Sequence, residues 1–501
     1  MKKSNLLRGA LILSVGGVLA KIFSAVYRIL LTRILGGEGI GLYQLIFPIY
    51  SLCVVIATAG LPLAISKVIS KNKGSEKRVL KKCFALTFGI SLVLSFILFV
   101  FAKGLSAVQG QKQLYVCYMI LAPSIILIGV SSVLRGYFQG KHNFTPSAVS
   151  NILEQFVKLC VGLILSLSLL FIGLLAAIIG AVIGIVVSEL VSVFILLIFI
   201  KKENIKSDSK IDVSIKDIIK DVVPITLTNI IIPIAGFVDS ILVVNLLSFS
   251  FSNEMCVFLY GLESGAVSSL ISLPTIFSFS IASVIMPSIT HEKNNFNRNR
   301  KLGCALKLIL IITIPCVVCF TLIPHRLVDF LYSNRLNAFG VDGLKIASRL
   351  LVWSGFGVVF FSINQLYSTC LQAVEERFVG IRNLAIGMLV KFIIEIVFMP
   401  NKYLNIYILA IANSIGYILT MILNHAEIKH RFKIKINYWF TAKVVLANCM
   451  MVLSLICVMA ISKTATNTLL SVIVAASVYL VSLWRLKIFN RRDKSMLKYK
   501  V

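Results

Sequence analysis

The chain has 501 residues, of which 58% are hydrophobic and only 14% charged, with a formal net charge of +30. Soluble globular domains carry about 25% charged residues, so this composition excludes a water-soluble fold. The basic residues sit in short clusters between long apolar runs, which is the positive-inside pattern of a membrane protein and argues against a nucleic-acid partner.

Apolar runs of about 20 residues, the length that crosses ~30 Å of hydrocarbon, recur from end to end. Runs such as 172–200 do not alternate polar with apolar residues, so helices are expected rather than a closed barrel. In chain order the spans fall at 8–33, 40–66, 83–103, 113–135, 146–169, 172–200, 218–247, 262–289, 302–324, 344–371, 378–399, 403–425, 438–461 and 466–486. The expected fold is an all-α membrane protein of about 14 transmembrane helices. The first span follows Lys2, Lys3 and Arg8 as a signal peptide would, but it is longer and no small-residue cleavage site follows, so it is read as retained.

Loop charge tests this count. With a cytoplasmic N-terminus, the inner segments hold 36 of the 50 Lys and Arg residues. The outer segments hold nine: Arg33, Lys103, Lys112, Arg326, Arg335, Lys345, Arg349, Lys402 and Lys463. Both termini are therefore expected in the cytoplasm and the span number even. The longest hydrophilic stretch, about 201–217, is too short to form a soluble core.

Two matches indicate an internal repeat. Ile56-Ala57-Thr58 before Pro62 recurs 225 residues on as Ile281-Ala282-Ser283 before Pro287. Gln139 precedes Val157-Lys158 by eighteen residues, and Gln372 precedes Val390-Lys391 by eighteen, at an offset of 233. The expected organisation is a first lobe at 1–200, a cytoplasmic linker at 201–217, a second lobe at 218–428, and two further spans with a basic tail at 429–501. Six spans per copy put both copies in one orientation, a transporter architecture with the site between halves.

No pattern points to catalysis, a metal or a cofactor. A phosphate-binding G-x-x-x-x-G-K-[ST] loop is absent, and the five histidines lack ligand spacing. The segment from Gly36 to Gly41 is read as a tight turn. Ten of the eleven cysteines lie in or beside apolar spans, with Cys256 in a loop; Cys316 and Cys319 are read as buried thiols.

Charge inside the hydrocarbon is the main functional signal, because each such group costs about 2.5–3.5 kcal/mol to insert. Lys21 and Arg28 lie two turns apart on one face of the first span. Glu154 and Lys158, and Lys391 and Glu395, are four apart on the fifth and eleventh spans; Glu189 and Asp239 stand alone. Lys21, Arg28, Glu154, Lys158 and Lys391 are candidates for binding an anionic headgroup in a cavity, and Asp239, Glu189 and Glu395 for a coupling proton or sodium ion. The competing interpretations are snorkelling for Arg28 and mutual neutralisation for the two spaced pairs. Pro62, Pro274 and Pro287 are candidate gating kinks on matching helices.

The sequence also resembles a known group. Gly41-Leu42-Tyr43-Gln44, Gly60-Leu61-Pro62-Leu63-Ala64-Ile65-Ser66, Leu134-Arg135-Gly136-Tyr137-Phe138-Gln139-Gly140, Val238-Asp239-Ser240, Leu273-Pro274 and Met286-Pro287 resemble, in order, the stage V sporulation protein B group. That group lies in the polysaccharide-exporter branch of the multidrug/oligosaccharidyl-lipid/polysaccharide (MATE-like) flippase superfamily, with the lipid II flippases. The resemblance implies two lobes with alternating access, a cell-membrane location and a lipid-linked glycan as substrate, with membrane lipids and cell-wall synthases as partners. In the lipid II flippases arginines line the cavity. Lys21 falls where the first-span arginine sits, whereas the second- and eighth-span arginines find no basic match at 51–59 or 268–270. The function expected is therefore translocation of an undecaprenyl-diphosphate-linked precursor in cell-wall or spore-cortex synthesis. A cation-coupled multidrug exporter and a membrane-embedded glycan synthase are the alternatives; the former needs an acidic cavity, the latter an outer acid pair that Asp329 and Asp342 do not clearly supply.

Overall fold

The structure, a computed structural model, describes residues 3–58, 60–71, 76–203, 222–223, 225–227, 229–290, 292, 294–373, 376–431, 438–461 and 465–488. Most of the expected linker at 201–217 and the basic tail beyond 488 lie outside the described residues. The described residues form helices joined by turns and short loops, with one isolated bridge between Ala338 and Val341. It divides into two compact units at Gly261/Leu262.

The first unit opens with α1 (Lys3–Thr58), whose helical geometry breaks at Gly36 (φ 68°, ψ −171°). A left-handed φ with extended ψ is open to glycine and strained for other residues. The two halves fold back on each other there. The Tyr43 hydroxyl donates to the Tyr27 hydroxyl at 3.4 Å, although sixteen residues of straight helix would hold them about 24 Å apart. A second break follows at Gly60 (φ 82°), so the span expected at 40–66 ends at Thr58 and a short α2 (Leu61–Lys71) begins. Then come α3 (Glu76–Val100), α4 (Ala102–Val108), α5 (Tyr115–Gly140), α6 (Thr145–Leu170), α7 (Leu174–Lys201), α8 (Ile231–Leu247) and α9 (Asn253–Gly261).

The segment around Cys256, expected to be a loop, is the helix α9, and Cys256 is buried in it. The Gly-rich segment after Gly36 explains why. A Cβ on Gly41 would collide with the Val257 carbonyl, and one on Gly261 with the backbone of Gly37 and Gly41. Glycines four apart let two helix backbones touch, so 37–41 is a helix-crossing surface as well as the start of the second half of the hairpin.

The second unit begins with a π-helical turn (Leu262–Val267), which leads into α10 (Ser268–Thr290). After it come α11 (Asn295–Leu322), α12 (Pro324–Tyr332), a 3₁₀ turn (Ser333–Leu336) and α13 (Gly343–Ala373). The last four helices are α14 (Arg377–Phe398), α15 (Tyr407–Arg431), α16 (Tyr438–Ile461) and α17 (Ala465–Arg485).

Twelve segments among the described residues are long and apolar enough to cross a membrane. One of them, Val15–Thr58, has 44 residues and contains the hairpin; α14, with 22 residues and two buried charges, lies outside the twelve. The chain is a multi-pass membrane protein.

The repeat extends into the cores. In the first unit Val133, Leu134, Tyr137 and Phe138 of α5 pack with residues of α2, α3 and α7. In the second, Leu366, Tyr367, Cys370 and Leu371 of α13, each at the 233-residue offset, pack with α10, α11 and α15. Gly36 and Glu38 likewise match Gly261 and Glu263 at the offset of 225.

Candidate functional site

In the first unit α6 and α7 pack along each other. Gly162 leaves room for the Tyr27 ring, since a Cβ there would touch it, and Tyr27 also donates to the Ala181 carbonyl at 3.5 Å. This close packing brings polar side chains from α1, α5, α6 and α7 together.

Arg135 of α5 is the hub. Its Nη2 donates to Glu154 Oε2 at 2.6 Å and to Ser192 Oγ at 2.7 Å, and its Nε donates to Ser150 Oγ at 3.2 Å. Gln155 Nε2 donates to the other Glu154 oxygen at 2.8 Å. One guanidinium thus ties three helices, using the forked donor geometry that only arginine has.

Glu154 therefore pairs with Arg135 and not with Lys158, its neighbour four residues on. The Lys158 ammonium sits 5.3 Å from the centre of the Tyr27 ring and 5.2 Å from that of Phe47, one ring from each half of the hairpin. Cation–π contacts of this kind contribute up to about 2 kcal/mol when desolvated. Glu189 on α7 is buried and interacts electrostatically with Glu154, Arg135 and Lys158, and the charge of Arg28 is felt at Lys158. Arg28, Glu154, Lys158 and Glu189 thus share one cluster. Lys21 lies exposed on the same half of α1. Asp239 lies half-buried on α8, beside Ser240, whose Oγ accepts from Gln109 Nε2 at 3.0 Å.

The second unit holds a separate cluster. Lys391 and Glu395 form the spaced pair, Nζ to Oε1 3.6 Å, with side-chain exposures of 2% and 0%. Glu263 of the π turn accepts from Ser354 Oγ at 2.6 Å and feels the Lys391 charge. A chain of amides crosses nearby helices: Asn383 donates to Asn424 Oδ1 at 2.9 Å, and Asn424 to Asn364 Oδ1 at 2.9 Å.

Pro62 is the second residue of α2, just after the Gly60 break. Pro274 and Pro287 lie within α10, which runs without a break from Ser268 to Thr290. Of the two acids expected outside, Asp342 caps α13 by accepting from the Lys345 amide at 3.0 Å, and Asp329 is exposed. Among the described residues no group of three or more His, Cys, Asp or Glu side chains is placed to hold a metal.

Two site residues escaped the sequence. Arg135 ends an apolar run and reads as loop charge, yet α5 continues five residues past it. Glu263 opens its span and reads as a boundary residue; only its repeat partner Glu38 singles it out.

This architecture has known relatives. A model of the polysaccharide biosynthesis protein family matches residues 6–293. The chain belongs to that family. Stage V sporulation protein B of Bacillus subtilis (strain 168) is 37% identical over 166 residues, 32% of this chain and 32% of that protein. The matches to it and to YabM of the same strain, at 32% and 31% of those proteins, thus span about a third of each relative's length. Lipid II flippase MurJ of the same strain is 23% identical over 458 residues, covering 85% of this chain and 83% of that one. Among solved structures, lipid II flippase MurJ in an inward closed conformation matches with a TM-score of 0.72 at 19% identity, over 97% of this chain and 100% of that one. An inward-facing multidrug resistance MATE family transporter matches with a TM-score of 0.64 at 15% identity, over 82% and 94%. The family member described here therefore has the MurJ and MATE fold.

Proposed function

We propose that this chain is an alternating-access flippase that carries an undecaprenyl-diphosphate-linked precursor, of the lipid II kind or a polysaccharide intermediate, across the cell membrane in cell-wall or spore-cortex synthesis. The observation that carries this reading is the charge of the first-unit cluster. Arg28, Arg135 and Lys158 outnumber Glu154 and Glu189, and the Lys158 ammonium rests on two aromatic rings instead of a carboxylate. A diphosphate offers that ammonium a full counter-charge, which ring faces do not. The relatives named as lipid II flippases support the same substrate class.

On this reading Lys21 and Arg28 meet the diphosphate first, and Lys158 leaves its rings to join them. The halves at 1–200 and 218–428 rock about the site, with Pro62, Pro274 and Pro287 absorbing the bending. The hairpin counts as two crossings and α14 as one, giving fourteen with both termini cytoplasmic. The last two helices take the lipid tail: α11 and α16 border an apolar cavity of about 560 Å³ lined by residues including Leu310, Ile314, Phe440 and Val444. Drive comes from the membrane potential or from a proton or sodium ion at Asp239, Glu189 or Glu395, and a cell-wall synthase receives the product.

The test is headgroup translocation in reconstituted vesicles. Lys158→Ala and Lys21→Ala are each expected to slow it about 10- to 100-fold, the loss of one hydrogen bond to a charged group worth about 1.5–3 kcal/mol. Parent-like rates in both variants sink the diphosphate reading. Faster efflux of cationic dyes than of lipid headgroups from the same vesicles points instead to the multidrug exporter, which the net-positive cluster disfavours.

A further inference from the structure

On α13 four residues are exposed: Lys345, Arg349, Trp353 and Phe356. Their spacing of four, four and three places them on one stripe, with two cations at the helix start and two aromatic rings one to three turns further in. Both rings are 48% exposed.

Three ordinary rules disfavour those cations. Like charges four apart on a helix repel, and Lys345, in the first turn, opposes the dipole at the helix N-terminus. The orientation proposed above also puts this end outside, where basic residues are scarce. Among the described residues neither Lys345 nor Arg349 forms a salt bridge, although Asp342 caps this same helix end. Two further basic side chains come from the elements just before α13. Arg326 on α12 has a buried Nη1 without a hydrogen-bond partner, and Arg335 of the 3₁₀ turn is exposed. The Asn337 side chain ties the connecting loop to α13 by accepting from the Leu344 amide at 3.4 Å.

We propose that this stripe is a binding site for one anionic phospholipid, its phosphate held by Lys345 and Arg349 and its acyl chain laid along Trp353 and Phe356. Lys345 and Phe356 are about 16 Å apart along the helix axis, the depth from a headgroup to the upper acyl chain. Aromatic rings below basic residues also anchor helices to any membrane without selecting a lipid. The pair of cations, in no salt bridge among the described residues, is what adds selection for negative charge. None of the four residues belongs to the charged clusters described above, and the repulsion and dipole arguments hold whichever way the chain is inserted.

The test uses the purified full-length chain in detergent, which has no sides. Binding of phosphatidylglycerol and of phosphatidylcholine with the same acyl chains is titrated by native mass spectrometry. The parent is expected to prefer phosphatidylglycerol, and Lys345→Ala/Arg349→Ala to lose about five-fold in affinity for it per cation removed. Trp353→Ala/Phe356→Ala weakens both lipids alike. Equal parental affinity for the two lipids, or phosphatidylglycerol binding within two-fold of parent in the double-cation variant, overturns the proposal. Displacement by millimolar inorganic phosphate also overturns it, because the site then holds a free anion. Should the alanine pair fail to fold, Lys345→Gln/Arg349→Gln gives the same readout. Headgroup translocation by these variants is expected to remain at the parental rate, so failure of the lipid site leaves the flippase reading untouched, and the reverse.

Discussion

Arg135→Ala is expected to destabilise the first unit by about 3 kcal/mol. The variant strips Glu154 Oε2 of its counter-charge and deprives Ser150 and Ser192 of a donor. Removing one partner of a buried pair costs about 3–5 kcal/mol. The lower end applies here, because the two side chains retain exposures of 18% and 11% and Gln155 still serves Oε1. At roughly 2–4 °C per kcal/mol for units of this size, thermal unfolding in detergent should fall by about 6–12 °C. Arg135→Lys keeps the charge but cannot reach three acceptors from one ammonium, so about half of the loss is expected. Arg135→Met/Glu154→Leu removes both charges and should recover most of it, because no bare carboxylate stays behind. A double variant less stable than Arg135→Ala, or an alanine variant within 1 °C of parent, would refute the reasoning: the hub would then hold nothing together.

Three further variants probe the backbone and the loops. Gly41→Ala pushes a methyl group into the Val257 carbonyl; overpacking costs of about 1–3 kcal/mol are expected, read as a lower unfolding temperature, whereas Gly17→Ala, where a Cβ meets nothing, should leave it unchanged or higher. Lys141, in the turn after α5, is drawn 3.2 Å from Glu203 and 3.9 Å from Glu76. Partial burial works against its charge, but the Tyr137 side chain beneath it, the hydrogen bond to Glu203 and the Glu76 charge outweigh that and raise its pKa above 10.5. A raised lysine stabilises fully below its unfolded pKa and loses that contribution as pH rises through the folded one. The gap in unfolding temperature between parent and Lys141→Met should therefore hold from pH 7 to 10 and close above 10.5; a gap that closes nearer neutrality contradicts the assignment.

Much of the fold was legible because hydrophobic length is a local property. Each span records the bilayer thickness directly, and the repeat survived in short motifs. What failed was anything decided across helices. Spacing offered Lys158 to Glu154, yet Arg135 wins that carboxylate because a forked donor also satisfies two serines. The apolar stretch at 255–260 is shorter than a membrane crossing and reads as a loop, yet it is helical because Gly37 and Gly41 leave it a backbone to lie against. The charged cluster was found only in part for the same reason: sequence shows which groups are expensive to bury, and tertiary packing decides which of them meet.

The hairpin seat has a consequence for the order of events during synthesis. Tyr27 and Phe47 emerge from the ribosome 131 and 111 residues before Lys158, whose ammonium lies over both rings. At about 5–20 residues per second, the completed hairpin spends roughly 6–22 s without the group that lies between its two halves. Throughout that interval the Gly36 turn and the Tyr27–Tyr43 hydrogen bond tie the two halves to each other, and α5 arrives before Lys158 to brace the second half, its Tyr118 hydroxyl donating to the Leu45 carbonyl at 3.3 Å.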